Sequence, residues 1–258
     1  MKGSGKNRAL MFTVLVLFLA FLTYQYQSMR QPNYSIEVVA SYPHDPESFT
    51  QGLIYHDGVL YEGTGLYGKS SLRRVNPESG EVLQIIDLPP YVFGEGVTIL
   101  NGKVYMLTWK EMTCYVYDLD LEPHGTFAYP TEGWGLTHNG TFLFMSDGSS
   151  TLRFIDPDTF QVVQTITVVF DGEPVDNLNE LEYIDGVIYA NIWLTDQIAL
   201  IDPMSGNVVE IIDFSSLKNE LETDQIDVLN GIAYNPETET IYITGKLWPK
   251  LFEVKLVK

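Results

Sequence analysis

The chain has 258 residues, a formal net charge of -19 at pH 7 and one cysteine. Such an acidic surface repels nucleic acid and favours small ligands that carry a cation or an amine. A single cysteine excludes an intramolecular disulfide, and Cys114 lies in a predicted strand, which indicates a buried inert thiol. Abundant Tyr and Phe, with no low-complexity tract, are typical of an ordinary all-β domain.

The N-terminus predicts a separate segment. Lys2, Lys6 and Arg8 precede an uncharged apolar stretch over residues 9–24, the pattern of an export signal or a membrane anchor. The stretch is short for a spanning helix, and no small-x-small cleavage site follows it. We therefore expect residues 1–30 to be an uncleaved signal or anchor with a short linker. Residues 31–258 then form one domain outside the cytoplasm, periplasmic or extracellular.

A repeat fills most of the remaining chain. Each of five copies begins with a short apolar strand, continues through a turn and adds a second strand. The period of about 45 residues matches a four-stranded propeller blade. The first strands begin at Gln51, Glu95, Trp134, Asn179 and Asn230. The second strands end at Gly65, Trp109, Asp147, Trp193 and Lys246. In four copies the pair between the two strands predicts a two-residue type I′ turn: Asp57-Gly58, Asn101-Gly102, Asn139-Gly140 and Asp185-Gly186.

The repeat predicts an all-β fold, a five-bladed β-propeller. The fifth copy has room for only three strands before Lys258. One strand, over residues 35–42, precedes the first copy and has no other assignment. We expect it to complete the last blade, because this closes the ring and covers two sheet edges.

The propeller geometry brings the two recurring positions together. The first strand of each blade lines the central axis, and the second strand runs back to the same face. Both sets of residues should therefore surround one mouth. They differ in chemistry from copy to copy, which indicates a site built on a repeated scaffold, although drift of loop ends would give the same variation.

The mouth positions are rich in tryptophan. Trp109, Trp134 and Trp193 fall there, and their rings would form a dry cavity able to hold an ammonium. Glu95, flanked by glycines, is the one carboxylate at an axial position. Beside indole rings its pKa should rise, as general acid-base catalysis near neutral pH requires. The alternative is a salt-bridged structural residue.

Neighbouring polar residues support the catalytic interpretation. Lys246, Gln51 and Asn179 supply donors for a carbonyl oxygen or a developing oxyanion. The four histidines show no metal-ligand spacing, so we predict no metal and no cofactor. Two other functions remain open. Glu95, Asn179 and Asn230 would suit a calcium-dependent propeller hydrolase or lactonase, and many propellers are non-catalytic interaction modules.

The chain resembles the plant and bacterial type of glutaminyl-peptide cyclotransferase, the glutamine cyclotransferase family. The resemblance runs in order through almost everything after about residue 35 and includes Phe93-Gly94-Glu95-Gly96 and Thr244-Gly245-Lys246-Leu247-Trp248-Pro249-Lys250. The other segments that carry it are residues 49–53, 61–70, 107–111, 132–137 and 178–182. The family is a five-bladed propeller, in agreement with the count of repeats.

The resemblance implies that an N-terminal glutamine attacks its own side-chain amide, which releases ammonia and leaves pyroglutamate. The partners would be peptides or proteins that begin with glutamine, and we expect a monomer. Carried over by position, the acid-base is Glu95, with Asn179 and Lys246 as further catalytic residues. The implied substrate pocket consists of Phe49, Gln51, Trp109, Trp134 and Trp193. We expect Glu62, Glu132 and Glu180 to orient the substrate ammonium, or else to be structural carboxylates.

Overall fold

The computed structural model describes residues 34–258, so the predicted signal or anchor lies outside the described residues. Twenty of the described strands form five antiparallel four-stranded sheets. The first strand is β1 (Ser35–Pro43). The first sheet is β2 (Thr50–His56), β3 (Val59–Thr64), β4 (Ser71–Val75) and β5 (Val82–Asp87). The second is β6 (Gly94–Leu100), β7 (Lys103–Thr108), β8 (Thr113–Asp118) and β9 (Pro123–Ala128).

The remaining sheets repeat this order and include one small insertion. The third is β10 (Leu136–His138), β11 (Leu143–Met145), β12 (Thr151–Ile155) and β13 (Val162–Thr167). The hairpin of β14 (Val169–Phe170) and β15 (Glu173–Pro174) follows. The fourth sheet is β16 (Leu178–Ile184), β17 (Val187–Ile192), β18 (Gln197–Ile201) and β19 (Val208–Asp213). After a 3₁₀ helix, Ser215–Glu220, come β20 (Leu229–Asn235), β21 (Thr240–Gly245) and β22 (Lys250–Val257).

The five sheets are the blades of a propeller, as the repeat predicted. The innermost strands β2, β6, β10, β16 and β20 contact one another in a closed ring. β1 pairs antiparallel with β22 from Ser35–Val257 to Pro43–Lys250, so the N-terminal strand completes the last blade. The prediction of this closure is confirmed, with the strand one residue longer than expected. No helix within residues 34–258 is long and apolar enough to cross a membrane.

The core consists of five apolar clusters, each shared by two neighbouring blades. Leu72 of the first blade packs with Met106 of the second, and Leu107 of the second with Leu143 of the third. Further clusters join the third blade to the fourth, the fourth to the fifth, and the fifth to the first. Burial between blades therefore holds the ring together, because each sheet buries its faces only against its neighbours.

A glycine follows the axial residue in four copies, and in the first three copies the backbones of neighbouring blades approach closely there. A Cβ on Gly96 would lie 2.6 Å from the Trp134 carbonyl oxygen, and one on Gly135 would lie 2.0 Å from the Asn179 carbonyl oxygen. Gly52 and Gly231 occupy the same position in their copies. The fourth copy has Glu180 instead, a difference with consequences for the central channel.

Three of the four predicted type I′ turns have the required positive φ angles at both residues, as at Asp57 (48°) and Gly58 (80°). The prediction is wrong for the third copy. His138 pairs with Leu143, which leaves a four-residue loop, and only Gly140 of the pair has a positive φ. Asn139 instead accepts the Thr141 and Phe142 amides through its side chain, an Asx turn that competes with the tighter hairpin.

Candidate active site

Irregular pairing at the start of the inner strands positions three candidate residues. The ladder between the first and second strands of a blade is interrupted at Gln51, at Glu95 and at Asn179. An interruption of this kind bends the strand and re-aims the side chain that it leaves unpaired. The bulges therefore place the axial side chains of three blades at the same end of the channel.

The ends of the second strands supply the facing side chains. Trp109, Trp193 and Lys246 directly follow β7, β17 and β21. Their backbones are fixed by hydrogen bonds to the loops beside the inner strands. The Trp109 amide donates to the Phe93 carbonyl at 3.0 Å, and the Lys246 amide donates to the Val228 carbonyl at 2.9 Å. These hydrogen bonds hold the end of the second strand beside the start of the inner strand in each of these blades.

These side chains enclose a cavity of about 390 Å³. It includes all of the predicted site residues except Glu62, Glu132 and Glu180. Its lining consists of Phe49, Gln51, Leu66, Phe93, Glu95, Trp109, Trp134, Asn179, Trp193, Leu194, Asp227 and Lys246. Three recurring positions do not line it: Gly65, Asp147, which forms an ion pair with Arg153 at 2.6 Å, and Asn230, which lies behind Gln51.

Glu95 is the buried carboxylate of this cavity, with 4% of its surface exposed. Its Oε1 accepts a hydrogen bond from Gln51 Nε2 at 3.2 Å. Burial raises the pKa of Glu95 well above its usual value, Lys246 opposes the rise, and the charges of Glu132 and Glu111 add to it. The direction of this shift, away from the pKa of an ordinary solvated glutamate, is the one that general acid-base catalysis requires.

A short relay orients the Gln51 amide. Asn230 Nδ2 donates to the Thr50 carbonyl at 3.0 Å and to Gln51 Oε1 at 3.4 Å. The Gln51 amide therefore presents its NH₂ group to Glu95. Asn179, on the opposite side of the ring, has a buried Oδ1 without a hydrogen-bond partner among the described residues. Asn179 lines the cavity, although this oxygen itself is buried.

Aromatic rings form the walls. Phe93 packs edge-on against Phe49, with ring centroids 6.3 Å apart, and against Trp109 at 5.5 Å. Trp134 and Trp193 pack edge-on at 5.5 Å. The Lys246 ammonium lies 4.9 Å from the centroid of the Phe49 ring. Burial lowers the pKa of Lys246, while the charges of Glu95 and Asp227 raise it.

Glu62 supports this site from outside the cavity. Its Oε1 accepts hydrogen bonds from Ser48 Oγ, from Thr50 Oγ1 at 2.7 Å and from His44 Nε2 at 3.1 Å. His44 Nδ1 lies 2.7 Å from the Trp248 carbonyl oxygen. Both ring nitrogens of His44 face acceptors, so a protonated ring satisfies both contacts. The network ties the segment before Gln51 to the segment after Lys246.

The pKa shifts agree with this ion pair. Burial alone would raise the pKa of Glu62, but the His44 charge and the hydrogen bonds outweigh it and lower the pKa to about 2. Burial would lower the pKa of His44, and the Glu62 carboxylate raises it instead. Glu62 therefore pairs with the buried His44 and does not line the cavity.

The other two predicted carboxylates also lie elsewhere. Glu132 accepts the indole N–H groups of two wall tryptophans from behind. Glu180 lies in the central channel, where its two oxygens accept the amides of Leu53 at 3.3 Å and Ile232 at 2.9 Å. These amides belong to the inner strands of the first and fifth blades, so Glu180 joins three blades.

Four lining residues were not among the predicted site residues. Leu66 and Leu194 each come one residue after a predicted mouth position, and Phe93 precedes Glu95 by two. Extending each mouth position by one or two residues would have found these three. Asp227 lies in the irregular loop before β20, and no pattern in the sequence indicates it.

The described residues contain no group of three or more His, Cys, Asp or Glu side chains placed to hold a metal ion. In residues 34–258 the calcium-dependent alternative thus lacks a carboxylate-rich centre. What the cavity offers is one buried carboxylate, one buried ammonium and amide groups within aromatic walls.

Comparisons with known proteins agree on one family. The family model described as glutamine cyclotransferase matches residues 11–256. A glutaminyl-peptide cyclotransferase of Arabidopsis thaliana is 44% identical over 227 residues, which cover 86% of this chain and 71% of that protein. The crystal structure of Myxococcus xanthus glutaminyl cyclase superposes with a TM-score of 0.82 at 38% identity and covers 88% of this chain and 98% of that one. With its five blades, its cavity and these relatives, the chain belongs to the glutamine cyclotransferase family.

Proposed function

We propose that Glu95 performs the proton transfers in the reaction of this chain, the conversion of an N-terminal glutamine of a peptide or protein to pyroglutamate with release of ammonia. The observation that carries the proposal is the environment of Glu95. It is a buried carboxylate with a raised pKa, and it lines an aromatic cavity of about 390 Å³, which has room for a glutamine side chain and its α-amine.

The chemistry needs one group that first accepts and then donates a proton. The α-amine attacks the side-chain amide carbon, a C–N bond forms, and the amine nitrogen loses a proton to Glu95. Glu95 then returns that proton to the side-chain amide nitrogen. The original bond between this nitrogen and the amide carbon breaks, and ammonia leaves. A buried carboxyl group with a raised pKa serves both steps.

The neighbouring polar groups suit the two ends of the glutamine. The Lys246 ammonium is a donor for the oxygen of the amide, on which negative charge develops during attack. Asn179 lines the cavity, and we assign its side-chain amide to hold the α-amine or the leaving amide. Gln51 keeps the Glu95 carboxylate in place through its 3.2 Å hydrogen bond.

The walls have a separate task. A five-membered ring forms only if the flexible glutamine side chain folds back on its own amine. Phe49, Trp109, Trp134 and Trp193 surround the cavity and limit the conformations open to that chain. They also exclude water, which would otherwise compete and give glutamate.

A direct assay tests the proposal. The full-length protein is incubated with a peptide that begins with glutamine, and ammonia and the cyclised peptide are both measured. We expect equal amounts of the two products, none from the N-acetylated peptide, and undiminished activity with a chelator. Glu95→Gln in the same assay tests the role of the carboxylate. Absence of cyclisation, together with chelator-sensitive hydrolysis of lactones, would favour the calcium-dependent alternative.

Location and assembly are further parts of the proposal. The basic residues before an apolar stretch at the N-terminus support an enzyme that is exported and anchored, and thus periplasmic or extracellular. We propose that the propeller acts as a monomer, since the ring closes with its own strand. Cell fractionation and light scattering on the detergent-solubilised full chain test these two statements.

A further inference from the structure

Glu132 connects two tryptophans of the cavity wall. Its Oε2 accepts a hydrogen bond from Trp109 Nε1 at 2.7 Å and one from Trp134 Nε1 at 3.2 Å. Glu132 itself does not line the cavity, whereas both tryptophans do. The carboxylate therefore lies behind the wall and faces the indole edges. An ionised acceptor makes each of these hydrogen bonds stronger than a neutral one would.

The orientation of these two indoles affects other rings of the wall. Trp109 packs edge-on against Phe93 with an interplanar angle of 62°, and Trp134 packs against Trp193 at 87°. Edge-to-face pairs depend on the angle between the rings. One carboxylate thus fixes two rings directly and restricts two more through them.

The backbone beside Glu132 is fixed as well. The Gly133 amide donates to the Trp109 carbonyl at 3.2 Å, and the Trp134 amide donates to the Ser146 carbonyl at 3.0 Å. A Cβ on Gly133 would lie 2.4 Å from the Tyr129 hydroxyl, so this position requires glycine. Because the main chain cannot shift freely, the reach of the Glu132 side chain is set.

The same segment also touches the catalytic strand. The Trp134 carbonyl accepts the amide of Gly96, the neighbour of Glu95, at 2.7 Å. A shift of Trp134 would therefore reach the residue next to the proton-transfer group. The charge of Glu132 also contributes to the raised pKa of Glu95, after burial and against Lys246.

We infer that Glu132 is a positioning residue that holds Trp109 and Trp134 in the orientation needed to fold the substrate glutamine, and that it does not bind the substrate ammonium. The inference rests on the proposed function, because the wall has this task only if a glutamine side chain must fold within it. It replaces the role in ammonium binding that the sequence suggested for Glu132.

Two substitutions separate the hydrogen bond from the charge. Glu132→Ala removes both, and Glu132→Gln removes the charge but keeps a carbonyl oxygen for the indoles. We expect Glu132→Ala to lower kcat by about ten- to a hundredfold, the scale of a small misplacement of reacting groups. Glu132→Gln should restore kcat to within a few-fold of the parent. A direct contact with the ammonium would instead raise KM strongly and equally in both variants and would overturn the inference.

Glu111→Gln is the matched control for charge. Glu111 also contributes to the raised pKa of Glu95, and it contacts Tyr67 and the Phe93 amide but no indole in the described residues. We expect its kcat to stay within about twofold of the parent, since Trp109 and Trp134 both keep their hydrogen bonds to Glu132. If Glu132→Ala does not fold, Glu132→Gln alone decides, because only the ammonium contact predicts a large rise in its KM.

Indole N–H resonances test the clamp without any activity measurement. The chain has four tryptophans, and Trp248 donates its Nε1 to the Asp227 carbonyl at 3.0 Å, away from Glu132. We expect the Trp109 and Trp134 indole protons to move upfield in Glu132→Ala while the Trp248 proton stays in place. Unmoved Trp109 and Trp134 signals would overturn the inference. A parent protein without cyclase activity would contradict the proposed function instead and leave this spectroscopic test valid.

Discussion

Glu95 and Glu180 are buried carboxylates at the start of two inner strands, yet their surroundings differ. Glu95 faces the cavity and receives one side-chain hydrogen bond from the described residues, that of Gln51. Both oxygens of Glu180 accept backbone amides, from Leu53 and from Ile232. The first carboxylate lines the cavity, whereas the second is enclosed by its own blades.

The difference arises because the two glutamates occupy adjacent positions of the repeat. Glu95 occupies the axial position, which is Asn179 in the fourth copy. Glu180 occupies the following position, where the other copies have glycine. A side chain there extends into the channel between neighbouring inner strands, so a carboxylate finds the amides of other blades. Adjacent positions of one repeat thus give a residue of the cavity and a residue of the framework.

The comparison also limits what a pKa can reveal. Burial raises the pKa of Glu95 well above its usual value, and burial together with the charge of Glu182 does the same for Glu180. A perturbed pKa is therefore present at both the candidate catalytic residue and the framework residue. Contact with the cavity distinguishes them.

The largest effect is expected for Glu95→Gln. The amide keeps the size of the side chain but cannot transfer the proton, so kcat should fall by about two to four orders of magnitude. Steady-state formation of pyroglutamate measures it, and circular dichroism checks the fold. In the parent, kcat/KM should decline toward low pH with a pKa above that of an ordinary glutamate, because Glu95 must be ionised to accept a proton. A normal kcat in a folded Glu95→Gln would remove the distinction between the two carboxylates.

Glu180→Ala should have the opposite signature. Two buried amides lose their acceptor, which costs about 2 kcal/mol of the free energy of unfolding. Cyclisation below the melting temperature should change by no more than about threefold, since Glu180 does not contact the cavity. Urea denaturation and the same kinetic assay make the measurement, with Glu180→Gln as a control that keeps one acceptor. A loss of kcat as large as that of Glu95→Gln would break the comparison.

The smallest expected effect is a pH dependence that comes from Glu182. Burial raises the pKa of this channel carboxyl from 4.5 to about 8, while the Tyr234 amide and Thr137 hydroxyl lower it in part. Because the folded protein favours the protonated form of Glu182, this group's contribution to stability is fully present below pH 4.5. It is lost as the pH rises through about 8. Between pH 7 and pH 9 we expect about 1 kcal/mol to be lost.

Glu182→Gln serves as the matched variant for this trend, because an amide does not titrate. Its free energy of unfolding should vary less between pH 7 and pH 9 than that of the parent. Chemical denaturation at several pH values makes the comparison. An identical slope in the two proteins would show that Glu182 does not contribute to it.

The sequence by itself determined the architecture. The spacing of first strands, hairpin pairs and second strands gives five blades, since strands alternate and turns require particular residues. The unassigned strand before Gln51 was predicted to complete the last blade, because an open propeller would expose two sheet edges. The predicted mouth positions also include most of the residues that line the cavity, among them Gln51, Glu95, Trp193 and Lys246.

Only the tertiary structure decided the roles of the remaining carboxylates. Glu62, Glu132 and Glu180 lie close to mouth residues in the sequence, yet they turn to His44, to two indoles and to the amides of other blades. A strand pattern gives the face on which a side chain lies. It does not give the partner, because that partner comes from a different blade and from bulges that re-aim the chain. Buried polar groups must find partners, and those partners exist only once the ring has closed.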